Sequence, residues 1–578
     1  MTTLSRRQLV AGSAAAALAA TATPAAPALA QSRPQPGRSP RTNRIALECA
    51  FKDMVLDGTK VRLRAYNDRI PGPLMKIYPG QTLRIRLKNS LPPYDSSNWR
   101  GDHNVPHALA TTNLHLHGMD VIPHLFEPLG TMNPLAPMIA IRPGQSKEYV
   151  FEIPKNHPPG LDWYHPHHHG STVVQAVSGM AGGIIVYGEI DEVPQIKAAR
   201  DIPLVMQDIG LFPSEDIPDL WTYLPKQNAI WQTLGPGNVT IYDPATGKAV
   251  PTKLKGGFTT GDYRLRYYLL NGQPFFKEVH DPATTVDTKQ PKPIPTQLGV
   301  TRIQMAPGEV VRFRMLNATS DNLMPIVVEN HEMHLLALDG VNFAAVRTIP
   351  VTPINTNPDN LGQVLLAPAN RAEFLIKAVS TPGIYRIVQI QQAQQFLFSV
   401  QKTIAEIEVT GPPNNMALPD KLPIPEREYP LIKDSEIKQK RIFQFSGNFP
   451  GVLNPTVGLD FLINNTLYQE TAVPTVVTLG SAEEWQLVVE GPHHGGTEGH
   501  PFHIHVNSFQ VISINGKPVE PGTFQDTIWV AEKSTVVIRM RFKQWLGKSV
   551  FHCHILPHED TGMMQNFLIL PPGHMSPH

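Results

Sequence analysis

"YPGQTLRIRLKNS", residues 78–90, joins a Pro-Gly turn to a run in which apolar and polar residues alternate up to an asparagine. A close copy, "APGEVVRFRMLNA", occupies residues 306–318, and a weaker third copy, "LGSAEEWQLVVE", occupies residues 479–490. Alternation places the apolar side chains on one side of the backbone, as a strand with one buried face requires. The sequence therefore predicts three related β-strands.

Each copy is followed some fifty to sixty-five positions later by a second strand with a similar lead-in. These segments are "IRPGQSKEYVFEIP" from 141, "LAPANRAEFLIKAV" from 366 and "VAEKSTVVIRMRF" from 530. Chance could explain one such pair, but it is a poor explanation of six segments in matching order. We predict an all-β protein made of three β-sandwich units of one type.

Composition suggests where these units begin and end. We predict a first unit at 45–190, a middle unit at 200–410 and a third unit at 428–578. The Pro-rich, charged stretch at 410–430 is typical of a linker. The Gly- and Pro-rich segments within 211–300 exceed what a sandwich needs, and they indicate a long insertion in the middle unit.

The N-terminal residues 1–30 form a separate segment. They contain the twin arginine Arg6-Arg7, an Ala-rich apolar stretch and the small-residue cleavage signal Ala28-Leu29-Ala30. The apolar run is short and is broken by Thr and Pro, which disfavours a membrane anchor. We predict a signal peptide of the twin-arginine type and export of the mature protein to the periplasm or the medium.

Charge and cysteine content limit the remaining possibilities. The chain has 50 basic and 49 acidic residues, a balance that indicates neither nucleic acid nor a membrane surface as a partner. Its only cysteines are Cys49 and Cys553. If Cys553 binds a metal, no internal disulfide can form, and Cys49 is most simply a buried strand residue.

Histidines two positions apart occur in four short stretches. In an extended strand such residues share a side, so each pair can present two imidazoles together. Cys553 is one position from His552 and His554, and His500 is three positions from His503. These odd separations place Cys553 and His500 on the opposite side of the strand from the paired histidines. The pairs are His115 and His117 in "NLHLHG", His165 and His167 in "WYHPHHHG", His503 and His505 in "HPFHIH", and His552 and His554 in "FHCHILPHEDTGMM".

This parity predicts two metal sites. Two imidazoles, a thiolate and a thioether are the ligand set of a blue copper centre, and they come from His500, Cys553, His558 and Met563. The eight paired imidazoles are too many for one ion and suit about three copper ions. A single His-x-His pair often has no function, and zinc is the other option. Structural zinc closes with four ligands, however, and gains nothing from a weak axial methionine.

The four motifs resemble those of three-domain multicopper oxidases of the laccase group, over nearly the whole mature chain. The resemblance implies cupredoxin-like Greek-key domains and four copper ions. It assigns His115 and His503 to the type 2 copper, and His500, Cys553, His558 and Met563 to the type 1 copper. It assigns the two type 3 coppers to His117, His165 and His554, and to His167, His505 and His552.

The resemblance also implies that four one-electron oxidations are coupled to reduction of dioxygen to two waters. Glu559 occupies a position that the family uses for proton delivery, although a solvated carboxylate in a turn is the alternative. A second acid is usual after the first motif. Phe126 stands at that position here, so we assign the second acid to Glu127, with Asp120 closer to the motif.

The implied partners are dioxygen and a small reducing substrate, which the laccase resemblance makes a phenol or an aromatic amine. Cuprous ion is an alternative, but dedicated cuprous oxidases carry a Met-rich insertion and the 17 methionines here are scattered. A copper nitrite reductase would lack the third repeat and the eight-histidine cluster. A copper-free exported assembly protein would lack ligands, and none of the twelve is missing. The sequence leaves the oligomeric state open.

Overall fold

The computed structural model describes most of the chain after residue 40. The ranges are 41–224, 226, 263–279, 294–354, 364–391, 399–423, 430–448, 452–454, 456–457, 459–489 and 499–574, together with the backbone of 241–242 and 249–250. The predicted signal peptide and parts of the predicted insertion and linker lie outside these residues. The predicted unit boundaries stay predictions.

Two sheets form the first unit. Its strands are β1 (Thr42–Leu56), β2 (Thr59–Tyr66), β3 (Met75–Ile77), β4 (Thr82–Asn89), β5 (His115–His117), β6 (Ser146–Glu152), β7 (Gly160–His165) and β8 (Gly182–Val186). One sheet has the order β3-β8-β7-β5 and the other contains β2-β1-β4-β6. Along β4, Leu83, Ile85 and Leu87 are fully buried, and each such side chain contributes about 1.5–3 kcal/mol.

The middle unit continues the larger sheet of the first, because β9 joins it through β10. Its strands are β9 (Arg200–Pro213), β10 (Trp221–Thr222), β11 (Ile241–Tyr242), β12 (Ala249–Val250), β13 (Leu265–Leu270), β14 (Gln273–Val279), β15 (Ile294–Gln297), β16 (Thr301–Met305), β17 (Val310–Asn317), β18 (Met324–Val328), β19 (Met333–Leu338), β20 (Val341–Ile349), β21 (Val364–Leu366), β22 (Arg371–Lys377), β23 (Gly383–Gln389) and β24 (Lys402–Val409). A second sheet has the order β16-β24-β23-β18-β21.

The third unit again consists of two sheets. Its strands are β25 (Ile437–Asn448), β26 (Asp460–Ile463), β27 (Thr475–Thr478), β28 (Ala482–Val489), β29 (His500–Ile504), β30 (Phe509–Ile514), β31 (Lys517–Pro518), β32 (Phe524–Gln525), β33 (Thr527–Val530), β34 (Ser534–Arg541), β35 (Gly547–Cys553) and β36 (Met564–Leu570). The sheet β27-β36-β35-β29-β33 places "HPFHIH" beside the strand that ends at Cys553.

The repeated segments pair with each other inside every unit. The three antiparallel pairs are β4 with β6, β17 with β22, and β28 with β34. The predicted all-β fold of three sandwich units is therefore confirmed.

One strand departs from the predicted single buried face. All eight residues of β17 are buried, including Arg312 and Arg314. Asp191 lies 2.6 Å from Arg312 and Asp201 lies 2.8 Å from Arg314, so carboxylates cover the side that alternation assigns to solvent. Buried guanidinium groups are tolerated because each has a hydrogen-bonded partner of opposite charge.

Helices are few and short. Among the described residues they are α1 (Thr172–Ala176), α2 (Pro194–Ala198) and α3 (Leu556–Glu559), with single 3₁₀ turns at Glu189–Glu192 and Asp434–Glu436. None of the helices in this part of the chain has the length and apolar character needed to cross a membrane.

Candidate metal centre

The eight paired histidines converge where the first and third units meet. In the first unit β5 pairs with β7 so that His115 lies opposite His165. In the third unit β29 pairs with β35 so that His503 lies opposite His552. Opposed residues on neighbouring strands project to the same side, so each unit presents its imidazoles on one face. All eight side chains are buried.

The two faces meet through stacked rings. The ring centroids of His117 and His503 lie 3.7 Å apart, and those of His115 and His505 lie 3.8 Å apart. The ligand atoms of His115, His117 and His503 all lie within 4.8 Å of one another. The same holds for a second group, His167, His505 and His552. The rings of His165 and His554, whose centroids lie 5.5 Å apart, complete the cluster.

These imidazoles are uncharged nitrogen donors. Burial, with neighbouring imidazoles as the next cause, lowers the pKa of most of them well below the usual value. Among the described residues several ring nitrogens have no hydrogen-bond partner: Nε2 of His115, His117, His165 and His503, and both nitrogens of His554. Buried polar atoms left unpaired are costly, so this set is built to bind metal ions.

A second site lies on the other side of β35. The Sγ atom of Cys553 is 3.5 Å from Nδ1 of His500 and 3.8 Å from Nδ1 of His558, and the two nitrogens are 3.4 Å apart. Helix α3 turns the chain back so that His558 faces Cys553. Met563 is fully buried, and its carbonyl oxygen accepts a hydrogen bond from the Cys553 amide. The geometry matches the partition that strand parity predicts.

Glu559 lies against the histidine cluster. Its two carboxyl oxygens are 3.4 Å from Nδ1 of His167 and 3.2 Å from Nδ1 of His552, and the side chain is fully buried. Burial, and then the neighbouring Asp560, raise the pKa of Glu559 well above its usual value. The carboxyl group therefore contacts the cluster, and its burial favours the protonated form.

The structure does not bring Glu127 into this site. Its carboxylate is exposed and pairs with Lys147 at 2.7 Å on the surface. Phe126 packs in an apolar cluster, with the ammonium of Lys548 4.1 Å from its ring centroid. Asp120 is tied to Trp545 by a 2.7 Å hydrogen bond and lines a small cavity.

Sequence reasoning missed Arg371, from the middle unit, which supplies none of the twelve predicted ligands. Its guanidinium binds both carboxyl oxygens of Asp526, at 2.8 and 2.7 Å, and lies 3.3 Å from Nδ1 of His117. Asp526 is itself 3.7 Å from Nδ1 of His503. The available signal was an arginine at the start of a repeat strand, but nothing in the sequence indicates which unit it contacts.

His124 was also missed. It is buried, and its Nε2 atom lies 3.2 Å from Nδ1 of His115. It belongs to no His-x-His pair, so the spacing argument could not find it.

Comparison with known proteins identifies the family. Models of the multicopper oxidase family match residues 49–190, 248–408 and 435–573. The chain is 24% identical over 503 residues to the multicopper oxidase mco of Staphylococcus haemolyticus, covering 86% of this chain and 82% of that protein. It is 24% identical over 549 residues to a laccase of Bacillus stratosphericus, covering 90% of this chain and 93% of that protein. A solved structure described as a multicopper oxidase from Campylobacter jejuni, a metallo-oxidase, has a TM-score of 0.64 at 22% identity and covers 93% of both chains. The chain belongs to the multicopper oxidase family and is a copper-dependent oxidoreductase that uses dioxygen.

Proposed function

We propose that this protein is a laccase-like oxidase that couples four one-electron oxidations of phenols or aromatic amines to reduction of dioxygen to water. In this proposal His500, Cys553, His558 and Met563 hold the type 1 copper, and His115 and His503 hold the type 2 copper. The type 3 coppers are held by His117, His165 and His554, and by His167, His505 and His552. When bound, the type 1 copper takes single electrons from substrate and the three clustered coppers reduce dioxygen.

The protein's own part in this reaction begins at Cys553. The thiolate lies between His552 and His554 in the chain, so a single peptide unit links its residue to each of these two ligands of the cluster. The cluster itself is sealed, since all eight imidazoles are buried at the junction of two units. Exclusion of water strengthens the electrostatic effect of each neighbouring group.

Glu559 supplies protons in this proposal. The carboxyl group contacts two imidazoles of one type 3 ligand set, His167 and His552. Burial raises the pKa of this carboxyl group, which favours the protonated form that a proton donor needs.

Two exposed apolar side chains near the type 1 site support an aromatic substrate. Phe461 stacks on the ring of His558, with centroids 4.1 Å apart. The preceding residue, Asp460, accepts hydrogen bonds from the amides of Val452 and Leu453, whose side chains are exposed. Asp460 is fully buried, so its carboxylate is a poor ligand for a metal ion that arrives from solvent. In this proposal the exposed Val and Leu, which are linked to His558 through Asp460 and Phe461, favour an aromatic ring over a metal ion.

Oxidation of cuprous ion is the second candidate, because the Campylobacter protein is described as a metallo-oxidase. Dioxygen uptake by copper-loaded protein with phenols, aromatic amines, cuprous and manganous ions distinguishes the two. We expect phenols and aromatic amines to give the highest kcat/KM, and Val452→Ser with Leu453→Ser to raise their KM several-fold while leaving cuprous oxidation unchanged. A preference for cuprous ion that the double variant leaves intact would contradict the substrate assignment.

Cys553→Ser tests the type 1 site directly. We expect loss of the blue absorption and of turnover, because the thiolate is both the source of the colour and the path for electrons. Cys49→Ser is the matched control. Cys49 is equally buried but lies in the first unit, 3.4 Å from the side-chain oxygen of Asn89. A colourless wild-type protein with its full copper content would reject the assignment.

We also propose export through the twin-arginine pathway. Arg6-Arg7 and the small-residue site ending at Ala30 support it. Replacement of both arginines by lysine should keep the precursor in the cytoplasm, and unchanged export of that variant would contradict the route.

A further inference from the structure

Two backbone groups fix the proton position on His124. The peptide N–H of Leu116 donates to Nε2 of His124 at 2.9 Å, and Nδ1 of His124 lies 3.0 Å from the carbonyl oxygen of Ile122. A peptide N–H can only donate and a carbonyl oxygen can only accept. Nε2 therefore carries a lone pair and Nδ1 carries the proton. An imidazole with a proton on one nitrogen and a lone pair on the other is neutral.

The lone pair of His124 also faces His115. The distance from Nε2 of His124 to Nδ1 of His115 is 3.2 Å, and the rings are nearly parallel, at 19°. Two lone pairs at this distance would repel, so Nδ1 of His115 must carry a proton and donate it. Nε2 of His115 is then the nitrogen with a lone pair, and it is the atom without a hydrogen-bond partner among the described residues.

We propose that His124 is a positioning residue that fixes the tautomer and the ring orientation of His115, so that Nε2 of His115 faces the type 2 copper. This inference rests on the proposed function, because it takes His115 as a ligand. Phe126 occupies the position where the resemblance places an acid, and it packs among apolar side chains. A neutral imidazole acceptor thus supports the ligand in this chain. Such outer partners set ligand orientation, and their loss typically lowers metal affinity about 10- to 100-fold.

His124→Leu tests the inference by removing the acceptor at similar volume. We expect the dissociation constant of the type 2 copper, measured by chelator competition, to rise about 10- to 100-fold. The electron paramagnetic resonance signal of that copper should change, whereas the blue absorption of the type 1 site should not. His124→Gln should restore both properties, because its amide oxygen reaches the position of Nε2.

His157→Leu is the matched control. Nε2 of His157 accepts a hydrogen bond from the Asp120 amide at 3.0 Å, and its Nδ1 donates to the Pro158 carbonyl oxygen at 2.8 Å. This ring has the same tautomer and is also buried, but within the described residues it pairs with none of the eight histidines. We expect its loss to leave the type 2 copper unchanged.

The outcomes separate the two proposals. If wild-type protein shows no type 2 signal, the proposed function fails. If the wild-type signal is present and His124→Leu retains it with unchanged affinity, or if His157→Leu weakens the copper equally, the inference about His124 is overturned. Should His124→Leu not fold, His124→Gln and His124→Asn decide. The asparagine oxygen reaches only the Nδ1 position, so equal type 2 signals in these two variants would overturn the inference.

Discussion

The two sides of the histidine cluster place a carboxyl group beside the imidazoles in different surroundings. On one side Glu559 lies 3.4 Å from His167 and 3.2 Å from His552, in a buried environment that raises its pKa. On the other side Asp526 lies 3.8 Å from His117, but both of its oxygens bind the guanidinium of Arg371. The first group can hold a proton, and the second is committed to an ion pair. The guanidinium of Arg371 holds Asp526 in an ion pair, so Asp526 has a structural role, whereas Glu559 can act as a proton donor.

That cation comes from the middle unit, which supplies none of the predicted ligands. Arg371 also binds Asp162 of the first unit at 3.1 Å, and its amide donates to Asp339 of the middle unit at 2.8 Å. Asp526 belongs to the third unit, so carboxylates from all three units converge on one arginine. The middle unit thereby holds the cluster's two contributors together.

Removing this cation should have the largest effect. Arg371→Met leaves Asp526 and Asp162 buried without their partner, which typically costs about 3–5 kcal/mol. We expect a large fall in the urea midpoint and loss of copper from the cluster. Arg62→Met is the control, because Arg62 pairs with Asp53 at the surface, where such pairs are worth about 0–1 kcal/mol.

Equal midpoints for Arg371→Met and wild type would break the comparison. They would mean that Asp526 needs no cation, and that the two sides of the cluster are electrostatically alike.

Glu559→Gln acts on the other side and should change turnover rather than stability. The amide keeps the shape but cannot release a proton, so we expect kcat to fall about 100-fold with the blue absorption intact. The raised pKa also sets the direction in which kcat changes with pH. A carboxyl group with a raised pKa donates while it is protonated, so wild-type kcat should fall as pH rises through that pKa. The glutamine variant should lack this decline.

Steady-state dioxygen uptake between pH 4 and pH 9 measures both effects. Unchanged kcat in the variant would remove Glu559 from the proton path and leave the buried carboxyl group without a catalytic role.

The sequence predicts the strands and the partition of ligands because both depend on local periodicity. Alternation in "TLRIRLKN" gives β4, and parity alone separates Cys553 from His552 and His554. Arg371 and His124 escape prediction because their roles depend on contacts with other segments, His117 and Asp526 in one case and His115 in the other. No local pattern records such contacts.

The second acid shows the same limit in a loop. Strand parity fixes which side a residue faces, but counting along the irregular segment between β5 and β6 does not. Glu127, one position beyond Phe126, therefore seemed close to the motif in sequence although its side chain reaches the surface and Lys147.

Glu127→Gln should accordingly have the smallest effect. Its ion pair with Lys147 is exposed, and such pairs contribute about 0–1 kcal/mol, so we expect the urea midpoint to change little. Dioxygen uptake should give a kcat within about twofold of wild type, since the carboxylate touches none of the imidazoles and its removal leaves the proton supply at Glu559 intact. Lys147→Gln, which removes the other partner, should behave in the same way. A fall in kcat comparable with that of Glu559→Gln, seen for Glu127→Gln but not for Lys147→Gln, would return Glu127 to the proton path and require a route from the surface to the cluster.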